Sequence, residues 1–111
     1  MLIVTRFAGQ SVMVGDDLMV SVQRIGPGLA VIVVAQRVRE EDGERFEDIR
    51  KVELGNRESI PLGADCRCML MAVRDDRIRP GFAAPRKTPV HRREVYDTIR
   101  RKASEKTDRP L

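Results

Sequence analysis

The sequence predicts a mainly β protein, antiparallel strands closed by one C-terminal helix. Three observations carry this reading. Residues 18–25 alternate, with Leu18, Val20 and Val22 on one face and Met19, Ser21 and Gln23 on the other, the period of a half-buried strand. Hydrophobic residues make up 41% of the chain but aromatics only 4%, with no Trp, so the core must be built from Val, Ile, Leu and Met, and the β-branched members of that set favour a pleated surface. Helical spacing shows at the C-terminal end, from Arg93 to about Ala103, where Val95, Ile99 and Ala103 form a narrow apolar stripe. Glu94 falls in the first turn of that helix, where a negative charge complements the backbone dipole.

Taken in order, residues 2–6 read as a first strand and residues 11–14 as a second short one leading into the turn Gly15-Asp16-Asp17. Gly26-Pro27-Gly28 then turns the alternating strand into the apolar run 29–35, which makes a hairpin. Residues 36–48, QRVREEDGERFED, are expected to form an exposed loop or a charged hairpin tip at Asp42-Gly43, a solvated face rather than a partner surface. Strand character returns at 51–54, 59–62, 66–73 and 77–82, with a turn at Asp75-Asp76. Pro80 should interrupt its ladder or create an edge, because proline has no N–H to donate, and Pro89 is tolerable only at a position that does not donate. After the helix, residues 104–111, SEKTDRPL, read as a disordered tail.

A length of 111 residues bounds the chain to about one small domain, and its charge is unevenly spread. Residues 1–36 are neutral, residues 37–58 carry six basic and eight acidic groups, and residues 59–111 carry thirteen basic and seven acidic groups. Positive charge therefore gathers in the last half, where it would attract phosphate if it is more than a solvated tail. Cys66 and Cys68 stand in a C-x-C pattern without a second pair, and the chain has one His, so a four-ligand zinc site is not expected. Alternation on a strand points both thiols to the core as small hydrophobes rather than as a strained redox pair. No nucleophile and base stand at a recognisable spacing, and no Gly-rich phosphate loop is present, so neither an enzyme nor a cofactor is expected. The N-terminus lacks the charged start and long apolar run of a signal peptide, and no stretch approaches a membrane span, so a cytoplasmic protein is expected.

Two gap-free blocks carry more information than composition. The chain opens with MLIVTRFAGQSVMVGDD, containing MLI-x-TR and G-x-x-x-x-x-GDD, and later holds AAPRKTPVHRREVY, containing APR-x-x-x-VHR-x-EVY. In these blocks it resembles the carbon storage regulator family, CsrA/RsmA, small bacterial RNA-binding proteins that control translation of messenger RNA. The resemblance implies binding of single-stranded GGA motifs in hairpin loops of mRNA leaders, near the ribosome-binding site, with effects on translation initiation or mRNA stability. It implies main-chain recognition by the last strand and the loop before it, since unstacked bases expose their edges to such groups. Residue by residue, Val4, Thr5 and Arg6 would supply the first-strand side, Ala84, Pro85 and Arg86 the loop, and Val90, His91 and Arg92 the last strand. Arg92 ranks first, because its fork of donors can grip a phosphate or a guanine edge. Phe7 and Ala8 depart from the basic and aliphatic residues common in the family, lowering the charge beside Arg6. The rival reading is a protein-interaction module of the same fold whose RNA surface has drifted, a partner of a protein like FliW, the flagellar assembly factor that antagonises many members of the family.

The chain also repeats itself. Gly15-Asp16-Asp17 recurs as Gly63-Ala64-Asp65, and with the offset of 48 held fixed Val4 meets Val52, Ser11 meets Ser59, Val14 meets Leu62, Val20 meets Cys68, Val22 meets Leu70 and Val34 meets Phe82. Either residues 1–103 form one family-type domain with a long insertion between its second and third strands, or they hold two copies, about 1–48 and 49–103. Copy one would keep MLIVTR but lack the VHR block, and copy two the reverse. Family members are homodimers with interleaved strands, each RNA site combining one subunit's first strand with the other's last. A fused chain would then be a monomeric pseudo-dimer with one complete site, whereas the insertion reading leaves an ordinary homodimer.

Overall fold

Short apolar runs punctuated by glycine turns partition the chain, in a computed structural model that describes residues 1–108, into ten strands and one helix. The strands are β1 (Leu2–Ile3), β2 (Arg6–Phe7), β3 (Ser11–Val14), β4 (Leu18–Gly26), β5 (Leu29–Glu40), β6 (Gly43–Gly55), β7 (Ser59–Pro61), β8 (Arg67–Val73), β9 (Arg77–Ala83) and β10 (Val90–Arg92), followed by α1 (Arg93–Asp108). All pairings are antiparallel. One sheet runs β1-β9-β8-β7, with β2 also on β9, and the other runs β10-β3-β4-β5-β6.

The alternation read in residues 18–25 puts Val20 and Val22 in the core, each 3% exposed. Residues 30–35 of β5 are buried on both faces, as a continuous apolar run demands of a strand covered on both sides. The core lies between the two sheets and takes Val12, Val14, Val20, Val22, Ala30, Ile32, Val34 and Leu54 from one, and Ile60, Cys68, Leu70, Ile78 and Phe82 from the other, with Leu62 and Cys66 in the connection between β7 and β8. Both cysteines are free and buried, and burial pushes the Cys68 thiol up to about 12, so they act as small apolar groups.

The offset of 48 governs the pairing as well as the sequence. Val12 opposite Val20 reappears as Ile60 opposite Cys68, and Ile25 opposite Ala30 as Val73 opposite Ile78. The register shift between Val22 and Arg24 recurs between Leu70 and Ala72. The first strand is exchanged in the same way in both halves: Ile3 pairs with Gly81 across the molecule, and Lys51 pairs with Val33. Turn bonds repeat too, since Gly9 N–H donates to the Val22 carbonyl at 2.7 Å and Arg57 N–H to that of Leu70 at 2.7 Å.

Three segments differ in part from what the sequence predicts. Residues 36–48, expected as an exposed loop or a charged hairpin tip at Asp42-Gly43, form a hairpin that extends β5 and β6 to a turn at Glu41-Asp42. The register that pairs Arg37 with Phe46 and Gln36 with Glu47 carries the ladder through the charged residues. Pro80 sits inside β9, and the interruption expected of it falls on the neighbouring strand. Val4 N–H reaches the Pro80 carbonyl at 3.1 Å, but the proline has no N–H to return, and the first strand breaks there into β1 and β2. Its equivalent Val52, opposite Ile32, lies within one unbroken strand. The helix, finally, does not bury the expected stripe: Ile99 is 48% exposed and Ala103 is exposed, while Tyr96 is buried. Tyr96 goes inward because its hydroxyl is satisfied there, donating to Asp16 Oδ1 at 3.0 Å and accepting from Arg37 Nη2 at 2.8 Å. The helix continues to Asp108, through most of the segment read as a tail, and residues 109–111 lie outside the described residues. No helix among the described residues is long and apolar enough to cross a membrane.

Arg57 adopts φ of 69° at the position where Gly9 has 89°. A left-handed conformation strains a residue with a Cβ, and the exposed Arg57 side chain has nothing in the core to offset it. Arg57→Gly should therefore raise stability by about 0.5–1 kcal/mol, read as a higher midpoint in urea at unchanged slope.

Candidate nucleic-acid interface

Two open sheet edges face each other across a groove of about 470 Å³ lined by Leu2, Ile3, Val4, Thr5, Val90, His91, Arg92 and Val95. The first wall is the N-terminal strand at the edge of one sheet, and the second is β10 at the edge of the other. Gly15 N–H donates to the Pro89 carbonyl at 2.7 Å, which fixes the alternation along β10. Counting from that bond, His91 addresses Met13 on β3, while Val90 turns its N–H and C=O, and Arg92 its N–H, to the open side. On the opposite wall Val4 addresses Pro80, so Ile3 turns its polar backbone groups outward.

Of the residues expected from the sequence, the structure gathers Val4, Thr5, Val90, His91 and Arg92 around this groove. Arg92 is exposed and, among the described residues, makes no hydrogen bond or ion pair, which leaves its guanidinium free for an incoming anion. Ala84, Pro85 and Arg86 lie in the loop ahead of β10 and do not line the groove. Ala84 packs on the core, Pro85 accepts a bond from Thr88 N–H at 2.9 Å, and Arg86 is exposed. Leu2, Ile3 and Val95 are lining residues that sequence reasoning did not assign. Leu2 and Ile3 stand 43% and 41% exposed, which the apolar run MLIV did not reveal, since such residues are as commonly buried.

Arg6 takes a different place. Its side chain is 4% exposed and lies beneath the groove, with both terminal nitrogens on the Glu94 carboxylate at 2.8 Å, Nη1 also on the Ser11 carbonyl at 3.1 Å and Nε on the Thr5 carbonyl at 2.8 Å. These four bonds tie the first strand, β3 and the start of α1 together. The equivalent residue in the other half is Leu54, 3% exposed, where a purely apolar side chain fills the same seat. The hydrogen bonds from Arg6, joined by Glu94's own backbone N–H and the nearby Arg92 charge, hold the Glu94 carboxyl down to about 2 against its burial.

The matching seat in the other half is built differently. Pro61 stands where Met13 pairs with His91, and β7 is an edge strand that no counterpart of β10 covers. Proline there removes the N–H a returning strand would need. The segment that would correspond to β10 instead belongs to the β5–β6 hairpin, which braces the helix. Arg37 lies 4.7 Å from the Phe46 ring centre and bonds Tyr96, while Arg93 lies 5.5 Å from the same ring.

A folded carboxyl held low contributes stability that is complete above the ordinary range near 4.5 and is lost as pH falls toward about 2. The unfolded chain takes up the proton first, so acid favours unfolding in that window. Glu94→Gln should flatten this acid limb in urea titrations at stepped pH. At neutral pH it should cost about 1 kcal/mol, the Glu94 side chain being 57% exposed and its pair with Arg6 correspondingly screened.

Residues 52–101 match the CsrA family, described as a global regulator protein family. Relatives named translational regulator CsrA include one from Rhodopirellula baltica, 50% identical over 44 residues that make up 40% of this chain and 63% of that protein. Another, from Bacillus subtilis, is 40% identical over 42 residues, covering 38% and 57% of the two chains. One from Lachnoclostridium phytofermentans is 33% identical over 51 residues, covering 46% and 71%. The match thus spans about 60% of the length of the first two relatives. No solved structure matches the chain.

Proposed function

The chain belongs to the CsrA family of global regulators, and on that premise we propose that it is an RNA-binding translational regulator with one RNA site, built in a single chain from a fused pair of family units. The observation that carries this reading is the groove itself: open backbone groups of the first strand and of β10 face each other, with the unpaired Arg92 guanidinium at its side. Backbone donors and acceptors on an open edge suit the exposed edges of unstacked bases, and a free guanidinium suits the phosphate or guanine beside them. The ligand is single-stranded GGA in a hairpin loop of an mRNA leader. Binding there would block the ribosome-binding site or alter the lifetime of the transcript without any chemistry.

The recurrence at an offset of 48 of the β3–β4, β4–β5 and first-strand pairings as β7–β8, β8–β9 and β5–β6 supports the fused reading over a single unit with an insertion. Copy one, residues 1–48, supplies the first strand of the site, and copy two, residues 49–103, supplies β10. The second site is closed off by Pro61 at its edge and by the conversion of its last strand into a hairpin arm. One site cannot bridge two motifs on one transcript, so the avidity that two linked sites give would be absent.

Arg6 works in this scheme as a positioning residue, holding the two walls at their spacing through Glu94 rather than reaching into the groove. Arg92→Ala should weaken binding to a GGA hairpin by ~1–3 kcal/mol while leaving the fold intact, whereas Arg67→Ala on the opposite half should leave affinity unchanged. Light scattering on the free protein and its RNA complex should give a particle of 12.6 kDa binding one hairpin. A particle of twice that mass binding two hairpins would overturn the fused reading. No binding at either mass would point instead to the protein-interaction module, with a FliW-like protein as its partner.

A further inference from the structure

Thr5 also lines a second cleft, of about 700 Å³, that opens beside the groove against Arg74, Asp76, Arg77 and Arg79 of the β8–β9 hairpin. The pairing register puts Thr5 between Val4, opposite Pro80, and Arg6, opposite Ile78, so Arg79 is its cross-strand neighbour. Alternation then places Ile3, Thr5 and Phe7 on one exposed face together with Arg77 and Arg79. Arg77 is committed, since it bonds the Asp76 carboxylate at 3.0 Å and lies 5.2 Å from the centre of the Phe7 ring. Arg74 and Arg79, among the described residues, have no side-chain hydrogen bond or ion pair. Among the described residues lining the cleft, the one carboxylate not bonded to Arg77, Asp75, is exposed at the tip of the turn.

The other half of the molecule provides an internal comparison. At the same offset of 48, Arg74 corresponds to Gly26, Arg77 to Leu29, Arg79 to Val31, Phe7 to Gly55 and Thr5 to Glu53. Every cation of the cleft is replaced there by an uncharged residue, the aromatic by glycine and the hydroxyl by a carboxylate. Two halves that share their core and their strand register thus differ at this corner, and the cations and the ring stand on the half that keeps the complete groove.

We infer that the RNA strand leaving the recognised motif runs out of the groove past Thr5 and over this face, with phosphates on Arg74 and Arg79 and a base stacked on the Phe7–Arg77 pair. Free guanidiniums grouped with an exposed ring on one face are the combination by which single strands are held without base readout. The inference rests on the RNA reading above, and it extends that site from a motif reader to one that also grips the flanking single strand.

The test compares a minimal GGA hairpin with the same hairpin carrying a short single-stranded extension at its 5′ or 3′ end, each measured across a salt series. One extension should tighten binding by about tenfold and steepen the salt dependence by about 1.4, the amount for two released counterions on a single strand. In the double variant Arg74→Ala/Arg79→Ala that gain should disappear while the minimal hairpin binds as before. Arg24→Ala/Arg50→Ala on the opposite half should preserve the gain. If neither extension tightens binding while the minimal hairpin still binds, the flanking path is overturned and the RNA reading stands. Equal loss on minimal and extended RNA in the double variant would also overturn it, by making the arginines part of the first groove. If no RNA binds, both readings fall together.

Discussion

The exchange of the first strand holds this architecture together. Leu2 lies opposite Phe82, eighty positions away in sequence, whereas the matching strand β6 takes the equivalent register against β5 through the hairpin that joins them. Pairing over such a separation carries a loop-closure cost that grows only slowly with length, and it is repaid by completing one sheet and positioning an edge of the groove. Each half depends on a strand from the other, so neither sheet is finished by local sequence alone. The groove exists because this exchange brings the N-terminal edge of one sheet alongside β10 at the edge of the other.

Shared interior and divergent edges follow from one physical difference. Positions that fill the space between the sheets must supply apolar volume in both halves, and the equivalent pairs Val12 and Ile60, Val22 and Leu70, and Ala30 and Ile78 all do so. Positions that meet the first strand, β10 or the helix answer to hydrogen bonding and charge as well, and there the halves differ: Met13 against Pro61, Ile32 against Pro80, Arg6 against Leu54. Pro80 and Pro61 act in contrasting ways. The first removes one bond of the ladder between the N-terminal strand and β9, loosening that strand at Val4 and Thr5 where the groove runs, and the second blunts the edge where the other groove would have formed.

The Arg6 and Glu94 pair shows how a charge can be kept in such a framework. Arg6 occupies a core seat, yet all three of its nitrogens are satisfied by Glu94 and two carbonyls, so its burial is matched by partners on three elements. Its opposite number Leu54 needs no partner, consistent with the absence of a helix start in that half.

Much of this was legible in the chain itself. The turns, the apolar alternation in β4, the continuous run of β5, the repeat at 48 and the two end blocks follow from local periodicity and residue type, which a linear sequence records directly. What it did not record was choice of partner. Arg6 read as a surface contact because a buried arginine cannot be told from an exposed one until Glu94, 88 positions on, is brought to it. The stripe of Val95, Ile99 and Ala103 looked like the buried face of α1, but Tyr96 is the buried residue because Asp16 and Arg37 meet its hydroxyl there. The charged segment 36–48 could be read as a loop or a hairpin tip but not as a brace for the helix, because that role lies in ring and guanidinium contacts to distant residues. Local physics fixed the elements, and only the tertiary structure decided which edges stay open, because an edge is defined by the strand that does not lie beside it.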